Sequence, residues 1–161
     1  MSTYIIHTDS LSSNSWVQGS QNYYTSYLRR PIRDVTKIDI VSLSVDVSQA
    51  TTNVVYLYVD QFVSTYNQLA LLNDGSSEPS TKSKLSGSLA RINVPSATTR
   101  LLFPNNNDFQ LETEFRTPIN SIDRITTQLF DQNGNRLSTT SNVFVTYRLQ
   151  TISADYQSSP F

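Results

Sequence analysis

The stretch TPINSIDRITTQLFDQNGNRL, residues Thr117 to Leu137, decides the fold class of this chain. Ile125 and Leu129 fall on one side of an extended backbone, with polar side chains between them, because successive strand residues point to opposite faces. Asn133-Gly134 then predicts a tight hairpin turn, since both residues tolerate positive φ. The chain returns as a second alternating stretch, Asn142 to Gln150, which predicts an antiparallel strand.

Composition supports the same class and excludes several functions. The 161 residues fit one domain, 1–161, and include 9 Tyr and 7 Phe but only 4 Gly, which favours strands. No cysteine is present, so disulfides and thiolate metal sites are excluded. The net charge of -1 gives no general attraction to nucleic acid or anionic lipid. Residues 1–20 do not resemble a signal peptide, and no apolar run is long enough to span a membrane.

Extended, alternating segments separated by polar turns predict roughly eight strands. Proline closes the second of them at Arg29-Arg30-Pro31, since proline cannot donate to a strand ladder. Such strands predict an all-β, two-sheet antiparallel sandwich, a single jelly roll. The predicted strands are Tyr4 to His7, Tyr23 to Leu28, Val35 to Val47, Val54 to Val63, Leu85 to Val94, Thr99 to Phe103, Phe109 to Phe115, and the two that flank the hairpin turn.

Two segments carry further expectations. Within Val35 to Val47 the apolar residues change parity between Ile40 and Leu43, which predicts either a bulge near Val41-Ser42 or an exchange of the buried face. Val54 to Val63 is apolar at nearly every position, as expected for a central strand covered on both faces. Alternation predicts the interior residues Ile38, Ile40, Leu43, Val45, Tyr56, Tyr58, Phe109, Leu111, Ile125, Leu129, Val145 and Tyr147.

The middle of the chain is less defined. Ser64 to Asp74 fits either a helical turn or another strand. Asp74 to Lys84 is polar and rich in turn residues, which predicts a long surface loop. Asn105 to Asp108 predicts a turn before the next strand.

Catalytic and metal-binding signatures are weak. The only histidine, His7, lies in the first strand and no nucleophile motif accompanies it, so a surface histidine is favoured over a triad. Glu112 and Glu114 lie on the polar side of a strand, which favours a solvated face over a glycosidase pair. Asp131, Asn133 and Asn135 resemble a calcium loop only in part, and a hairpin turn explains them better. We therefore predict no enzyme activity, no cofactor and no metal.

Two surfaces are candidates for interaction. The densest basic segment contains Arg29, Arg30, Arg33 and Lys37 and suits contact with a neighbour's acidic surface, such as Asp108, Glu112 and Glu114, better than contact with phosphate or RNA. The aromatic residues Trp16, Tyr23, Tyr24 and Tyr27 suit ordinary cross-strand packing or an interface anchor, or alternatively a sugar-stacking platform.

Motifs at both ends of the chain point to a family. The N-terminal part, YIIHTDSLSSNSW and then NYYTSYLRRPIRDVTKIDIVSLSVDV, contains the strand signature Asp34 to Ser42, DVTKIDIVS. The second motif, a proline-led strand ending in a hairpin, is carried by Pro118, Ile122, Arg124, Ile125, Leu129, Asp131 and Gly134. Both resemble the single jelly-roll minor capsid and penton proteins of large icosahedral double-stranded DNA viruses, whereas Ser64 to Asn107 resembles nothing known.

This resemblance implies a structural virion protein. Such a subunit is repeated as a homopentamer around a capsid vertex or is wedged beneath the major shell, and it contacts major and minor capsid proteins. It would be assembled inside the host cell and would have no specific nucleic-acid partner and no membrane span. A carbohydrate-binding, lectin-like jelly roll is the alternative function.

Overall fold

The computed structural model describes residues 1–11, 15–17, 20–47, 53–62, 87–94, 100–103, 111–137 and 142–152. Strands make up most of these residues, and no α-helix occurs among them, so the predicted all-β class is confirmed. A short 3₁₀ turn, Asp60–Phe62, follows the fourth strand. The strands are β1 (Ser2–Asp9), β2 (Ser15–Val17), β3 (Ser20–Asp46), β4 (Val54–Val59), β5 (Ala90–Asn93), β6 (Arg100–Phe103), β7 (Leu111–Phe130) and β8 (Phe144–Thr151).

All eight strands belong to one antiparallel sheet that curls into a half-barrel. The hydrogen-bonded order is β1-β8-β3-β7-β4-β5, and β2 and β6 also pair with β3. The long strands β3 and β7 pair along most of their length and hold the other strands together. The predicted antiparallel pairing is therefore confirmed, but the described strands form one curled sheet and not the two separate sheets of the predicted sandwich.

β3 and β7 are each longer than predicted because each passes through a proline that was expected to mark a strand end. In the ladder between β3 and β7, Tyr27 pairs with Arg124 and Ile32 pairs with Ile122. The four β3 residues 28–31 therefore lie opposite a single β7 residue, Asp123. These four residues leave the ladder as a bulge, and Pro31 is tolerated there because no ladder hydrogen bond is required of it. The predicted strand end at Arg29-Arg30-Pro31 is wrong, since β3 resumes after this bulge.

A matching bulge lies in β7. Val35 pairs with Ile119 and Lys37 pairs with Glu114. The four β7 residues 115–118, which include Pro118, therefore lie opposite a single β3 residue, Thr36. Each bulge adds three residues to its own strand, and the two insertions cancel. The pairing of β3 with β7 therefore has the same register before the first bulge as after the second.

Apolar anchors and a strained residue accompany these bulges. Leu28 packs against the core from the β3 bulge, and Phe115 stacks on Phe62 from the β7 bulge, with ring centroids 5.9 Å apart. Asp34, between the bulges, has a φ of 55°, a left-handed conformation that aspartate tolerates better than most residues. The two strands thus change direction through built-in irregularities.

The parity change within β3 is also explained by a bulge. Ile40 pairs with Tyr147 and Ser42 pairs with Thr146, which leaves Val41 without a partner on β8. Because Val41 is the extra residue, Ile40 and Leu43 both point into the interior. The bulge predicted near Val41-Ser42 is therefore confirmed.

The interior is a large apolar cluster on the inner side of the curled sheet, and a second, smaller cluster contains Val54, Tyr56 and Phe130. β4 is buried on both faces and lies between β7 and β5, as predicted for a central strand, although it ends at Val59. Tyr58 is only partly buried, and Phe109 and the side chain of Leu111 lie outside the described residues. The other predicted interior residues are buried: Ile38, Ile40, Leu43, Val45, Tyr56, Ile125, Leu129, Val145 and Tyr147.

The hairpin turn after β7 is confirmed. Gly134 has a φ of 83°, and its N–H donates to the carbonyl of Asp131 over 3.1 Å. The Asp131 carboxylate accepts the N–H groups of Asn133 and Asn135, so it closes the turn. The strand beyond the turn, β8, lies beside β1 and β3, so β7 and β8 flank β3 without pairing with each other. Both are antiparallel to β3, so the prediction that β7 and β8 form an antiparallel pair around this turn is wrong. The expectations for Ser64 to Lys84 and Asn105 to Asp108 lie outside the described residues.

Candidate interaction surface

The bulges place an arginine-rich surface on the outer side of the sheet. Arg29, Arg30 and Arg33 are all exposed, the first two within the β3 bulge and the third just after it. β7 adds Arg116, from its own bulge, and Arg124, which faces the exposed Tyr27 across the ladder. We call these five arginines the arginine surface.

None of the five guanidinium groups makes an ion pair with a described residue. These arginines are five of the twelve basic residues of the chain, whose net charge is -1. Asp34 and Asp123 lie among these arginines, so this part of the chain carries a net charge of +3, and the remaining seven basic residues stand against eleven acidic ones, a balance of -4. The charge of this protein is therefore segregated, which suits contact between unlike surfaces.

The sequence predicted three of these five arginines. Arg116 and Arg124 were missed because they are far from the β3 arginines in the chain and lie beside β3 only through the β3–β7 register. Lys37, which was predicted to belong to the surface, is committed elsewhere. Its Nζ lies 2.8 Å from Glu112 and 3.7 Å from Glu114.

This ion-paired group alters the predicted contact between subunits. The hydrogen bond from Lys37 to Glu112 raises the pKa of Lys37, with further contributions from nearby Asp39 and Glu114. Glu112 and Glu114, which were expected to meet the basic segment of a neighbouring subunit, therefore already bind a lysine of their own chain. Asp108 lies outside the described residues.

The four aromatic candidates separate into different environments. Tyr27 is 56% exposed, and Tyr23 is half-buried with the Arg136 guanidinium 4.6 Å from its ring centroid, a cation–π contact. Trp16 pairs through its backbone with Tyr24 in the β2–β3 ladder, and its side chain lies outside the described residues. Tyr24 itself is in the core, so its side chain matches the cross-strand packing alternative and does not belong to a surface platform or an interface anchor.

Tyr24 belongs to a buried hydroxyl network. Its OH lies 3.0 Å from the Thr8 hydroxyl, and the Tyr147 OH lies 3.0 Å from the Thr127 hydroxyl. Burial raises the pKa of Tyr24 to about 12, against the lowering effect of its hydrogen bonds to Thr8 and Thr127. Burial also raises the pKa of Tyr147 well above its ordinary value. These contacts tie β1, β3, β7 and β8 together in the interior.

His7 lies on the outer face of β1, where it is exposed and its Nδ1 is 3.0 Å from the Thr146 hydroxyl. This placement matches the predicted surface histidine. Within the described ranges, no group of three His, Cys, Asp or Glu side chains is arranged to hold a metal ion. Nor do these ranges contain a helix long and apolar enough to cross a membrane.

A scan against protein-family models and a search of curated proteins both found no match to this chain. Inferences about its function therefore rest on the arginine surface and on the curled antiparallel sheet.

Proposed function

We propose that this protein is a structural subunit of an icosahedral virion, a penton or minor capsid protein of single jelly-roll type that acts without catalysis. Subunits associate head to tail into a ring, most simply a homopentamer, and the ring contacts major and minor capsid proteins. Assembly takes place inside the host cell. The resemblance of the two chain ends to such proteins supports this reading, as does the curled antiparallel sheet.

The observation that carries the proposal is the unpaired arginine surface. A heterologous contact joins two different patches of the same chain, and repetition of that contact by rotation closes a ring. A chain with five unpaired arginines on one side and an acidic excess elsewhere has such patches. Complementary charge would then set the orientation of neighbouring subunits.

The alternative function, a carbohydrate-binding module, is less well supported. Of its four candidate aromatic residues, Tyr24 is buried and Tyr23 is covered by Arg136. Only Tyr27 is freely exposed among those whose side chains are described. Reproducible glycan binding that is lost in Trp16→Ala, with the fold intact, would nevertheless favour this function over assembly.

Sedimentation velocity tests the ring contact. We expect rings of the purified protein to form at low salt and to dissociate at high salt, because exposed charges are screened. The double variant Arg29→Glu, Arg30→Glu should form no ring at any salt concentration. The matched control is Arg91→Glu, an exposed arginine on β5 outside the arginine surface, which should associate like the original protein.

The copy number in purified particles tests the location. Five subunits at each of twelve vertices give about 60 copies per particle. A monomer at high concentration that also fails to assemble with any shell protein would refute the proposed function.

A further inference from the structure

The strand β1 forms an open edge of the sheet. It is the terminal strand in the hydrogen-bonded order and pairs with β8 over all eight of its residues in one unbroken register. No other described strand pairs with it. An open edge of this length offers a row of backbone donors and acceptors to another strand.

The backbone groups that face this edge can be assigned. The N–H of Ser10 donates to the carbonyl of Val143 over 3.0 Å, in the same register that joins β1 to β8. Antiparallel partners alternate between hydrogen-bonded and non-hydrogen-bonded pairs. Ser10 belongs to a hydrogen-bonded pair, so the even-numbered residues of β1 bond to β8. The odd-numbered residues Thr3, Ile5 and His7 therefore direct their backbone N–H and C=O groups to the open edge.

Features that normally protect an edge strand are missing from β1. Its sequence, STYIIHTD, contains no lysine, arginine or proline, and its pairing contains no bulge. By contrast, the strand at the other end of the order, β5, has only four residues and an exposed arginine. On the outer face beside β1 two apolar side chains are exposed, Ile5 at 52% and Phe144 on β8 at 44%, among polar neighbours that include His7 and Arg148.

We infer that β1 pairs with β1 of a second copy, antiparallel, about a two-fold axis at Ile5. This register places Ile5 opposite Ile5 and Thr3 opposite His7, so residues whose backbone groups face the edge meet one another. It is also the register that pairs the whole of Ser2 to Thr8 with itself. No two charges of like sign are opposed, because Asp9 falls opposite Met1.

The inference goes beyond the ring proposed above and does not rest on it. The ring contact is heterologous and electrostatic, whereas the edge contact is isologous and uses backbone hydrogen bonds and Ile5. A chain with both contacts can join one ring to another through two-fold axes. The two contacts use different residues, so variants can separate them.

Single cysteines test the register directly, because the natural chain has none. Across the proposed axis the two residues at position 5 have Cα atoms about 5.5 Å apart, within the range a disulfide spans. Copies of position 3, or of position 7, are separated by four residues along the strands, about 14 Å. On mild oxidation Ile5→Cys should therefore form a covalent dimer at least ten-fold faster than Thr3→Cys or His7→Cys.

Equal rates for the three variants, or the fastest cross-linking at position 3 or 7, would overturn the inference.

Ile5→Pro gives an independent measurement, because it removes an edge-facing N–H that β8 does not use. The Ile5→Pro variant should fold, and its sedimentation should show no two-fold association between copies. If it fails to fold, Ile5→Lys replaces it, since two ammonium groups at the axis repel; unchanged association of either folded variant would refute the pairing. Adding Arg29→Glu and Arg30→Glu to Ile5→Cys should leave the cross-linking rate unchanged, even if the ring contact is lost.

Discussion

Arg148 donates from Nε to the Oδ2 atom of Asp39 over 2.6 Å, across the ladder between β8 and β3. Asp39 is 1% exposed, although it points to the outer face of the sheet, and its other carboxylate oxygen has no hydrogen-bond partner. The Arg148 guanidinium therefore provides most of the stabilisation that offsets burial of the Asp39 charge. Removing one member of a buried ion pair leaves an isolated charge, which is costly.

The first prediction concerns this pair. Arg148→Met keeps an apolar stem over the sheet but removes the cation, so we expect the free energy of unfolding to fall by roughly 3 kcal/mol. Urea denaturation measures the loss. The matched control is Arg124→Met, an exposed arginine without an ion pair, which should change stability by less than about 0.5 kcal/mol. Equal losses in the two variants would show that Asp39 does not need Arg148.

The second prediction concerns the buried hydroxyl network. Tyr24→Phe leaves the Thr8 hydroxyl without its tyrosine partner in the core, at a cost of about 1–2 kcal/mol. Tyr27→Phe, the same change at an exposed position, should have no measurable effect. Combining Tyr24→Phe with Thr8→Val should cost less than the sum of the two single changes, because both partners are then removed. Additive losses would contradict the contact.

The third prediction is a loss of stability at alkaline pH. The pKa of Tyr24 is about 12 in the folded protein, above its ordinary value of 10.0, so the unfolded chain releases this proton first. Stabilisation by the neutral hydroxyl is complete below pH 10 and is lost as pH rises toward 12, a change of roughly 3 kcal/mol. Denaturation series across this window should show the decline, and Tyr24→Phe should reduce it. A decline equally steep in Tyr24→Phe would assign it to other groups.

The fourth prediction concerns the turn after β7. Gly134→Ala adds a side chain at a φ of 83°, which should reduce stability by about 1–2 kcal/mol. Asn133→Ala is the control, because only the backbone N–H of Asn133 is bonded within the turn. Thermal unfolding of the two variants gives the comparison. A more stable Gly134→Ala protein would mean that the turn does not restrain the hairpin.

Sequence patterns predicted this fold well where side chains report on burial. Alternation located the interior residues of β3, β7 and β8, and the parity change between Ile40 and Leu43 located a bulge. The length of β3 and β7 was not predictable from these patterns. Pro31 and Pro118 are typical of strand ends, and only the pairing of each bulge with the opposite strand shows that the ladder continues.

The candidate site was predictable only in part for similar reasons. Tyr23 and Tyr24 are adjacent and chemically alike, so alternation requires that one face inward but does not say which. Arg116 and Arg124 lie beside the arginine-bearing strand β3 only through tertiary pairing. Lys37 was grouped with the other basic residues because a sequence shows proximity along the chain and not the acidic neighbours on β7.

The paired bulges of β3 and β7 have a consequence for how this chain can change in length. A deletion of three residues from one bulge alone would displace every later pair of the two strands, and an odd shift would also turn core side chains toward solvent. Removing three residues from both bulges would restore alignment along the whole ladder. In related sequences, gaps at residues 28–31 and 115–118 should therefore appear together and have equal length, as a single inherited unit split between two distant parts of the gene.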